Sequence, residues 1–144
     1  MSQSEPINIL MVEDNPADIR LAQEAFKFEK LANDLHFVKN GVDAIKYLRK
    51  EDGFKNEPSP DIVLLDLNLP LMSGQEVLAE VKTDPVLRRI PIVILTTSEA
   101  EIDVIKAYEN HANCYISKPV DFEKFANVVR QIEGFWFSVV KLPK

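Results

Sequence analysis

The sequence predicts an α/β fold, a doubly wound parallel sheet of five strands with helices on both faces. Five short apolar runs alternate with five segments of helical periodicity along the chain. The central runs are apolar without interruption, which is typical of strands that are buried on both faces. Alternation favours parallel strands, because parallel neighbours need crossover connections. In such sheets ligands bind beyond the carboxyl ends of the strands, near the point where strand order reverses.

Size and composition indicate one globular domain. The chain has 144 residues, with 46% hydrophobic and 28% charged, so we expect a single domain over 1–144. Its core is predicted at about 7–132, followed by an extended C-terminal helix and tail at 133–144. The net charge of −6 argues against direct binding to nucleic acid, since phosphate binding needs a basic surface.

Other classes of protein are also disfavoured. No apolar run approaches the ~18 residues of a membrane helix, and the start resembles no signal peptide. Cys114 is the only cysteine, which fits a reducing cytoplasm. His36 and His111 share no ligand-like spacing, so zinc is not expected.

The N-terminal half of the chain is predicted to hold two strands and two helices. An apolar strand at 7–12 comes first. Asn15 can cap the next helix and Pro16 suits its first position, and we expect this helix to reach about Lys30. A second strand is predicted at 35–38. The buried stripes of the two helices are predicted at Ile19, Ala22 and Phe26 and at Val42, Ile45 and Leu48.

A polar loop at 52–60 leads to the central strand. This strand, 61–65, runs directly into a carboxylate, although a charge rarely follows a buried strand unless something pairs with it. Ser73 and Glu76 then have the spacing of a capping box. The buried side of this third helix is predicted at Leu78 and Val81.

The C-terminal half repeats the alternation. A strand at 92–95 ends at a threonine, and Ser98 with Glu101 repeats the capping-box spacing. A fifth strand is predicted at 114–116, and Asp121 can cap a last helix. The apolar faces of these two helices are Ile102, Ile105 and Tyr108, and Phe122, Phe125, Val129, Ile132 and Trp136.

The residues at the carboxyl ends of the strands carry the chemistry. They are Glu13 and Asp14 after the first strand, Asp66 after the third, Thr96 at the fourth and Lys118 after the fifth. Three acids placed together repel one another, and a hard divalent cation such as Mg²⁺ removes that repulsion. An ammonium and a hydroxyl can then hold the oxygens of a phosphoryl group. Asp66 could attack phosphorus and form an aspartyl phosphate.

Each of these residues alone has an ordinary interpretation. Acids are common at helix starts, Lys118 could be an exposed lysine, and Thr96 could simply fill a strand. Tyr115 could be an ordinary strand residue, since buried or half-buried tyrosines are commonplace in strands, and Cys114 is predicted to be an inert core residue. The joint occurrence of the acids with the lysine and the threonine favours the site.

Taken in order, these residues resemble the CheY-like receiver domain of two-component response regulators. The resemblance covers about 7–132. It rests on Glu13-Asp14, on Asp66 followed by Asn68 and Pro70, and on Thr96, Tyr115 and Lys118-Pro119. It implies a flavodoxin-like strand order, 2-1-3-4-5.

The resemblance also implies a phosphoacceptor and a metal site. Asp66 matches the phosphoacceptor. Asp14 and Asp66 match the carboxylates that bind Mg²⁺ (or Mn²⁺) directly, Asn68 would add its backbone carbonyl, and Glu13 would act through water.

Three further residues have implied roles in phosphotransfer and switching. Lys118 matches the partner of the phosphoryl group, with a cis bond expected before Pro119. Thr96 and Tyr115 match the pair that couples phosphorylation to the surface.

A narrower resemblance concerns the small response regulators that are paired with cyanobacterial-type phytochrome kinases. It rests on the insertion at 52–60, the runs 95–98 and 113–115, and the aromatic end 135–137. It implies a sensor histidine kinase, with a phytochrome as the candidate, as the partner. We expect a stand-alone switch that signals through protein contacts, since no residues remain for an output domain. The downstream target and the input are not specified by the sequence.

The C-terminal tail predicts self-association. Its apolar residues are Phe135, Trp136, Phe137, Val139 and Val140. These are more than one helix end can bury, and exposed apolar patches usually mark association surfaces. We expect a homodimer through the last helix, the fourth helix and the fifth strand, with a tail folded onto its own domain as the alternative.

Two other functions compete with the switch. An aspartate-nucleophile phosphatase typically carries a second Asp two residues after the nucleophile, whereas this chain has Asn68 there, and an amide cannot act as a general acid. An interaction module that has lost phosphorylation would usually lack an acid or the lysine, and neither is missing. We therefore expect a phosphoacceptor rather than an enzyme with turnover.

Overall fold

A five-stranded parallel sheet forms the centre of the structure. The computed structural model describes residues 7–27, 33–96, 114–117 and 130. In chain order its elements are β1 (Ile7–Val12), α1 (Pro16–Lys27), β2 (Asn33–Val38), α2 (Gly41–Arg49), β3 (Ile62–Leu65), α3 (Gly74–Thr83), β4 (Ile92–Thr96) and β5 (Cys114–Ser117). Two short 3₁₀ turns, Asp52–Phe54 and Leu87–Arg89, lie in the loops that follow α2 and α3.

The strand order is β2-β1-β3-β4-β5, and every neighbouring pair is parallel. The predicted fold class and order are therefore confirmed. The register aligns the carboxyl ends of the strands: Val12 of β1 is opposite Leu65 of β3, and Leu65 is opposite Ile94 of β4. A residue that directly follows β1 is thus brought beside the residue that follows β3.

The core consists of two apolar layers, one on each face of the sheet. The larger layer packs α2 and α3 against Val63 and Leu65 of β3. The other layer packs α1 against Ile62 and Leu64. All four residues of β3 are no more than 1% exposed, which confirms the prediction that this strand is buried on both faces.

Side-chain caps begin the helices where the sequence predicted them. The Asn15 Oδ1 accepts a hydrogen bond from the backbone N–H of Ala17 at 2.8 Å, at the start of α1. Ser73 and Glu76 form a complete capping box at the start of α3. The predicted boxes and caps at Ser98, Glu101 and Asp121 lie outside the described residues, as do the apolar faces of those two helices.

The predicted stripes are correct in α1 and α3 and partly wrong in α2. Ile45 and Leu48 are buried as expected, but Val42 is only half-buried. The buried face of α2 begins instead at Gly41, which packs against the backbone of Met72. Adjacent helical residues are rotated by about 100° from one another, so Val42 turns away from the core.

The second strand is longer than predicted. β2 begins at Asn33 rather than at Leu35, and Asn33 and Asp34 pair with Ile7 and Asn8 of β1. β2 is an edge strand, so polar residues are tolerated there and the apolar pattern understates its length. Within the described parts of the chain, none of the helices has the length and apolar content needed to cross a lipid bilayer.

Candidate functional site

Three carboxylates meet at the carboxyl ends of β1 and β3. Glu13, Asp14 and Asp66 each offer one oxygen atom, and these atoms lie within 4.8 Å of one another. Glu13 is 1% exposed and Asp66 is 5% exposed, whereas Asp14 is exposed. The cluster therefore has two buried acids and one at the surface.

The backbone of the sheet fixes the two buried acids. The N–H of Glu13 donates to the carbonyl of Val38 at 3.0 Å, and the N–H of Asp66 donates to the carbonyl of Val12 at 3.1 Å. These bonds continue the ladder of the sheet one residue beyond β1 and β3. Strand pairing therefore helps to set the distance between these two acids, in addition to the contacts of their side chains.

Two further backbone groups orient the carboxylates. The N–H of Asn15 donates to the Oε2 of Glu13 at 3.1 Å, and the N–H of Asn68 donates to the Oδ1 of Asp66 at 2.9 Å. Hydrogen bonds to a charged acceptor are stronger than neutral ones. The sequence predicted Asn15 as a helix cap but not its second contact with Glu13.

Gly74 at the start of α3 sets how closely this helix approaches the site. A Cβ at this position would fall on the carbonyl group of Asp66 and would lie 2.6 Å from the Cα of Leu67. The N–H of Gly74 also donates to the carbonyl of Leu67 at 3.0 Å. The sequence indicated Gly74 only as part of the capping segment. Glycine is a poor helix former, and its presence at a first helical position was the signal for close packing.

The donor set suits a hard divalent cation. Three carboxylate oxygens at this spacing match the oxygen-only coordination of Mg²⁺ or Mn²⁺, and a cation would offset repulsion among three acids, two of which are buried. The structure thus brings together the three acids that the sequence nominated for a metal. The predicted contribution of the Asn68 carbonyl stays a prediction.

The other nominated residues are placed only in part. Thr96 is the last residue of β4, and Tyr115 lies in β5 opposite Ile94. Lys118 and the Lys118–Pro119 bond lie outside the described residues. The roles of all three residues stay predictions.

A parallel sheet of this order, with acids beyond its first and third strands, defines a receiver domain. Residues 9–130 match the response regulator receiver domain family. The chain belongs to this family, and its activity is phosphorelay signalling in a two-component system. The resemblance that the sequence indicated is confirmed.

Comparison with individual proteins identifies relatives within the receiver family. The chain is 46% identical over 138 residues to response regulator Rcp1 of Synechocystis sp., and the alignment covers 96% of this chain and 94% of that protein. It is 38% identical over 143 residues to the probable methanogenesis regulatory protein FilR2 of Methanothrix harundinacea, and this alignment covers 99% of this chain and 92% of that protein.

Solved structures give the same result. The phosphorylated cyanobacterial phytochrome response regulator RcpA has a TM-score of 0.89 and 46% identity, covering 97% of this chain and 100% of that one. The Mn²⁺-bound form of Rcp1 has a TM-score of 0.87 and 45% identity, covering 96% and 100%. The narrower resemblance, to small phytochrome-associated response regulators, is confirmed as a resemblance.

Proposed function

We propose that this receiver accepts a phosphoryl group on Asp66 from a sensor histidine kinase and transmits the signal through protein contacts. One observation carries the proposal. Asp66 ends the central buried strand, is itself 5% exposed, and lies within reach of two further carboxylates. A buried acid placed among acids is unfavourable for the fold alone, and its use as a nucleophile beside a cation explains the arrangement.

The residues of the chain divide the chemistry between them. An oxygen of the Asp66 carboxylate forms a bond to phosphorus, while the bond between phosphorus and the imidazole nitrogen of the donor breaks and the imidazole leaves with its electron pair. The Asn68 N–H holds the carboxylate through its Oδ1. Asp14, Asp66 and the carbonyl of Asn68 would hold Mg²⁺ (or Mn²⁺) directly, and Glu13 would hold it through water. When bound, this cation supplies neutralisation of the charge on the transferring group.

Three residues complete the proposed site. Lys118 is proposed to contact the phosphoryl oxygens, and Thr96 and Tyr115 to couple phosphorylation to the surface of the domain. Phosphate and metal bind one state of the domain better and draw the population toward it. The positions of Thr96 and Tyr115 on neighbouring strands β4 and β5 agree with this coupling.

The proposed partner is a histidine kinase of the phytochrome type. The support is the similarity to Rcp1 and to RcpA, the latter described as a cyanobacterial phytochrome response regulator. We further propose that 1–144 acts as a single receiver domain in the cytoplasm, and that it forms a homodimer through the last helix and the apolar tail. The metal proposal is supported by the Mn²⁺-bound form of Rcp1.

Labelling by a small phosphodonor tests the proposal directly. We expect acetyl phosphate with Mg²⁺ to phosphorylate the wild-type chain, as measured by intact mass, and Asp66→Asn to abolish labelling. Asp34→Asn is the matched control, because Asp34 is an exposed residue of β2 remote from the cluster. Labelling of Asp66→Asn at the wild-type level would refute the assignment. Multiple turnover of a phosphomonoester would instead support the phosphatase alternative, which Asn68 disfavours.

A further inference from the structure

Asn15 lies in the turn that joins the acidic cluster to helix α1. Its Oδ1 accepts hydrogen bonds from the backbone N–H of Ala17 at 2.8 Å and of Asp18 at 3.3 Å, and its carbonyl accepts from the N–H of Ile19 at 3.0 Å. Its own N–H donates to the Oε2 of Glu13 at 3.1 Å. Asn15 therefore bonds to the first turn of α1 on one side and to a buried acid of the cluster on the other.

The proline that follows Asn15 restricts the same turn. Pro16 is the first residue of α1, and a proline disfavours the helical conformation in the residue before it. A residue that caps the start of a helix typically has an extended conformation, so the proline and the side-chain cap favour the same backbone geometry at Asn15. The N–H that reaches Glu13 thus belongs to a residue whose backbone is restricted in two ways.

Asp14 depends on this turn for its position. Within the described parts of the chain its side chain makes no hydrogen bond or ion pair, and it is exposed. Its backbone lies between two held residues, because the N–H of Glu13 donates to the carbonyl of Val38 at 3.0 Å and Asn15 is held by its cap on α1. Asp14 is therefore positioned through its neighbours in the chain.

We propose that Asn15 is a positioning residue of the metal site. This inference rests on the proposed function, in which Asp14 holds the cation directly and Glu13 holds it through water. The Asn15 side chain acts through the backbone: by capping α1 it keeps its N–H on the Oε2 of Glu13 and limits the movement of Asp14. Preorganised ligands lose less conformational freedom on binding, so the cap raises the affinity of the site for a divalent cation.

A residue that only caps α1 would make the same bonds to the helix, so the test must separate cation affinity from stability. Asn15→Ala removes the side-chain cap and keeps the backbone N–H. Asn15→Ser keeps an oxygen that can cap the helix and adds no charge. Asn40→Ala is the matched control, because Asn40 caps α2 at the N–H of Asp43, at 2.7 Å. Among the described residues, its side chain bonds to Asp43 and to no acid of the cluster.

Binding of Mn²⁺ to the unphosphorylated chain is measured from the signal of free Mn²⁺ in electron paramagnetic resonance, and stability from urea unfolding in chelator. We expect Asn15→Ala to raise the Kd for Mn²⁺ about ten-fold or more, as the loss of groups that orient metal ligands typically does. Asn15→Ser should return the Kd close to the wild-type value, since serine and asparagine cap helices about equally well. Asn40→Ala should lose as much stability as Asn15→Ala and keep the wild-type Kd.

The outcomes separate this inference from the proposed function. A wild-type Kd in Asn15→Ala overturns the positioning role and leaves the metal site intact. An equal loss of affinity in Asn15→Ala and Asn40→Ala also overturns it, because affinity would then follow helix stability. Binding by Asn15→Ser that is as weak as binding by Asn15→Ala overturns the role of the cap. If Asp66→Asn binds Mn²⁺ as tightly as the wild type, the proposed metal site fails together with this inference.

Discussion

Replacement of Asp66 by asparagine is expected to stabilise the metal-free protein and to remove most of its response to Mg²⁺. The substitution keeps the shape of the side chain and deletes one of three clustered charges. The acids cannot separate readily, because backbone hydrogen bonds to Val38 and Val12 hold Glu13 and Asp66 in place. Repulsion is therefore retained in the folded state and absent from the unfolded chain.

The magnitude follows from the geometry. Two unit charges no more than 4.8 Å apart, as the carboxylate oxygens of the buried pair Glu13 and Asp66 are, repel by at least about 3.5 kcal/mol at an effective dielectric constant of about 20. Asp14 is exposed and adds little. The hydrogen bond from the Asn68 N–H loses its charged acceptor, which costs about 1.5 kcal/mol. We expect a net gain of about 2 kcal/mol in the free energy of unfolding.

Mg²⁺ is expected to stabilise the wild-type chain more than the Asp66→Asn variant. At a metal concentration one hundred times its Kd, the wild-type chain gains about 2.7 kcal/mol. A hundred-fold weaker site in Asp66→Asn would gain only about 0.4 kcal/mol under the same conditions. The variant is thus the more stable protein without metal and loses that advantage when Mg²⁺ is abundant.

Urea unfolding followed by circular dichroism, in chelator and in Mg²⁺, measures both effects. Asp34→Asn is the control for loss of a carboxylate outside the cluster and should behave as the wild type in both buffers. A metal-free Asp66→Asn protein that is less stable than the wild type would refute the repulsion argument. An undiminished Mg²⁺ response would show that Asp66 is not a metal ligand.

Two other predictions concern packing and pH. Gly74→Ala should destabilise the fold by about 1–3 kcal/mol, because its Cβ would fall on the carbonyl group of Asp66. This loss is expected even though alanine is the better helix former by about 1 kcal/mol. Urea unfolding tests the prediction, with Gly53→Ala as the control because its Cβ meets nothing, and a stabilised Gly74→Ala protein would contradict it. The pKa of Asp84 is held below its usual value, first by the backbone N–H of Leu87, so its stabilisation is complete above about pH 4 and is lost as pH falls through the folded pKa. Asp84→Asn should accordingly flatten the fall in unfolding free energy with acid, and a profile parallel to that of the wild type would exclude this carboxyl as the source.

Much of the fold could be predicted because β3 and its neighbours have an unambiguous pattern. Residues 62–65 are apolar without a break, and Pro60 and Pro70 lie on either side of this run, a pattern that is typical of a short strand buried on both faces. The acids at 13, 14 and 66 were then placed together by topology alone, because parallel strands end at one edge of the sheet. Their proximity needed no knowledge of side-chain geometry.

The remaining features depend on contacts that a linear pattern does not encode. The length of β2 was understated because Asn33 and Asp34 belong to the strand through pairing with β1, not through hydrophobicity. Val42 was assigned to the core because the phase of a short helix is uncertain by one residue, and Gly41 fixes that phase by packing on Met72. The positive φ of Leu71 contradicts the local preference of leucine, so only the folded loop reveals it.

The backbone hydrogen bonds of the sheet hold the acids of the cluster close together although their charges repel one another. Glu13 and Asp66 are attached to the most buried part of the sheet, so they cannot relieve repulsion by moving into water. Bound positive charge offsets this repulsion, so we expect the site to respond to a divalent cation. An energy difference of this kind between bound and unbound states is what a phosphorylation switch needs, since a ligand shifts a population only by its difference in affinity for the two states. The rigidity of β1 and β3 is therefore a requirement of the proposed function, and any variant that loosens the ladder at Val12 or Val38 should weaken metal binding together with stability.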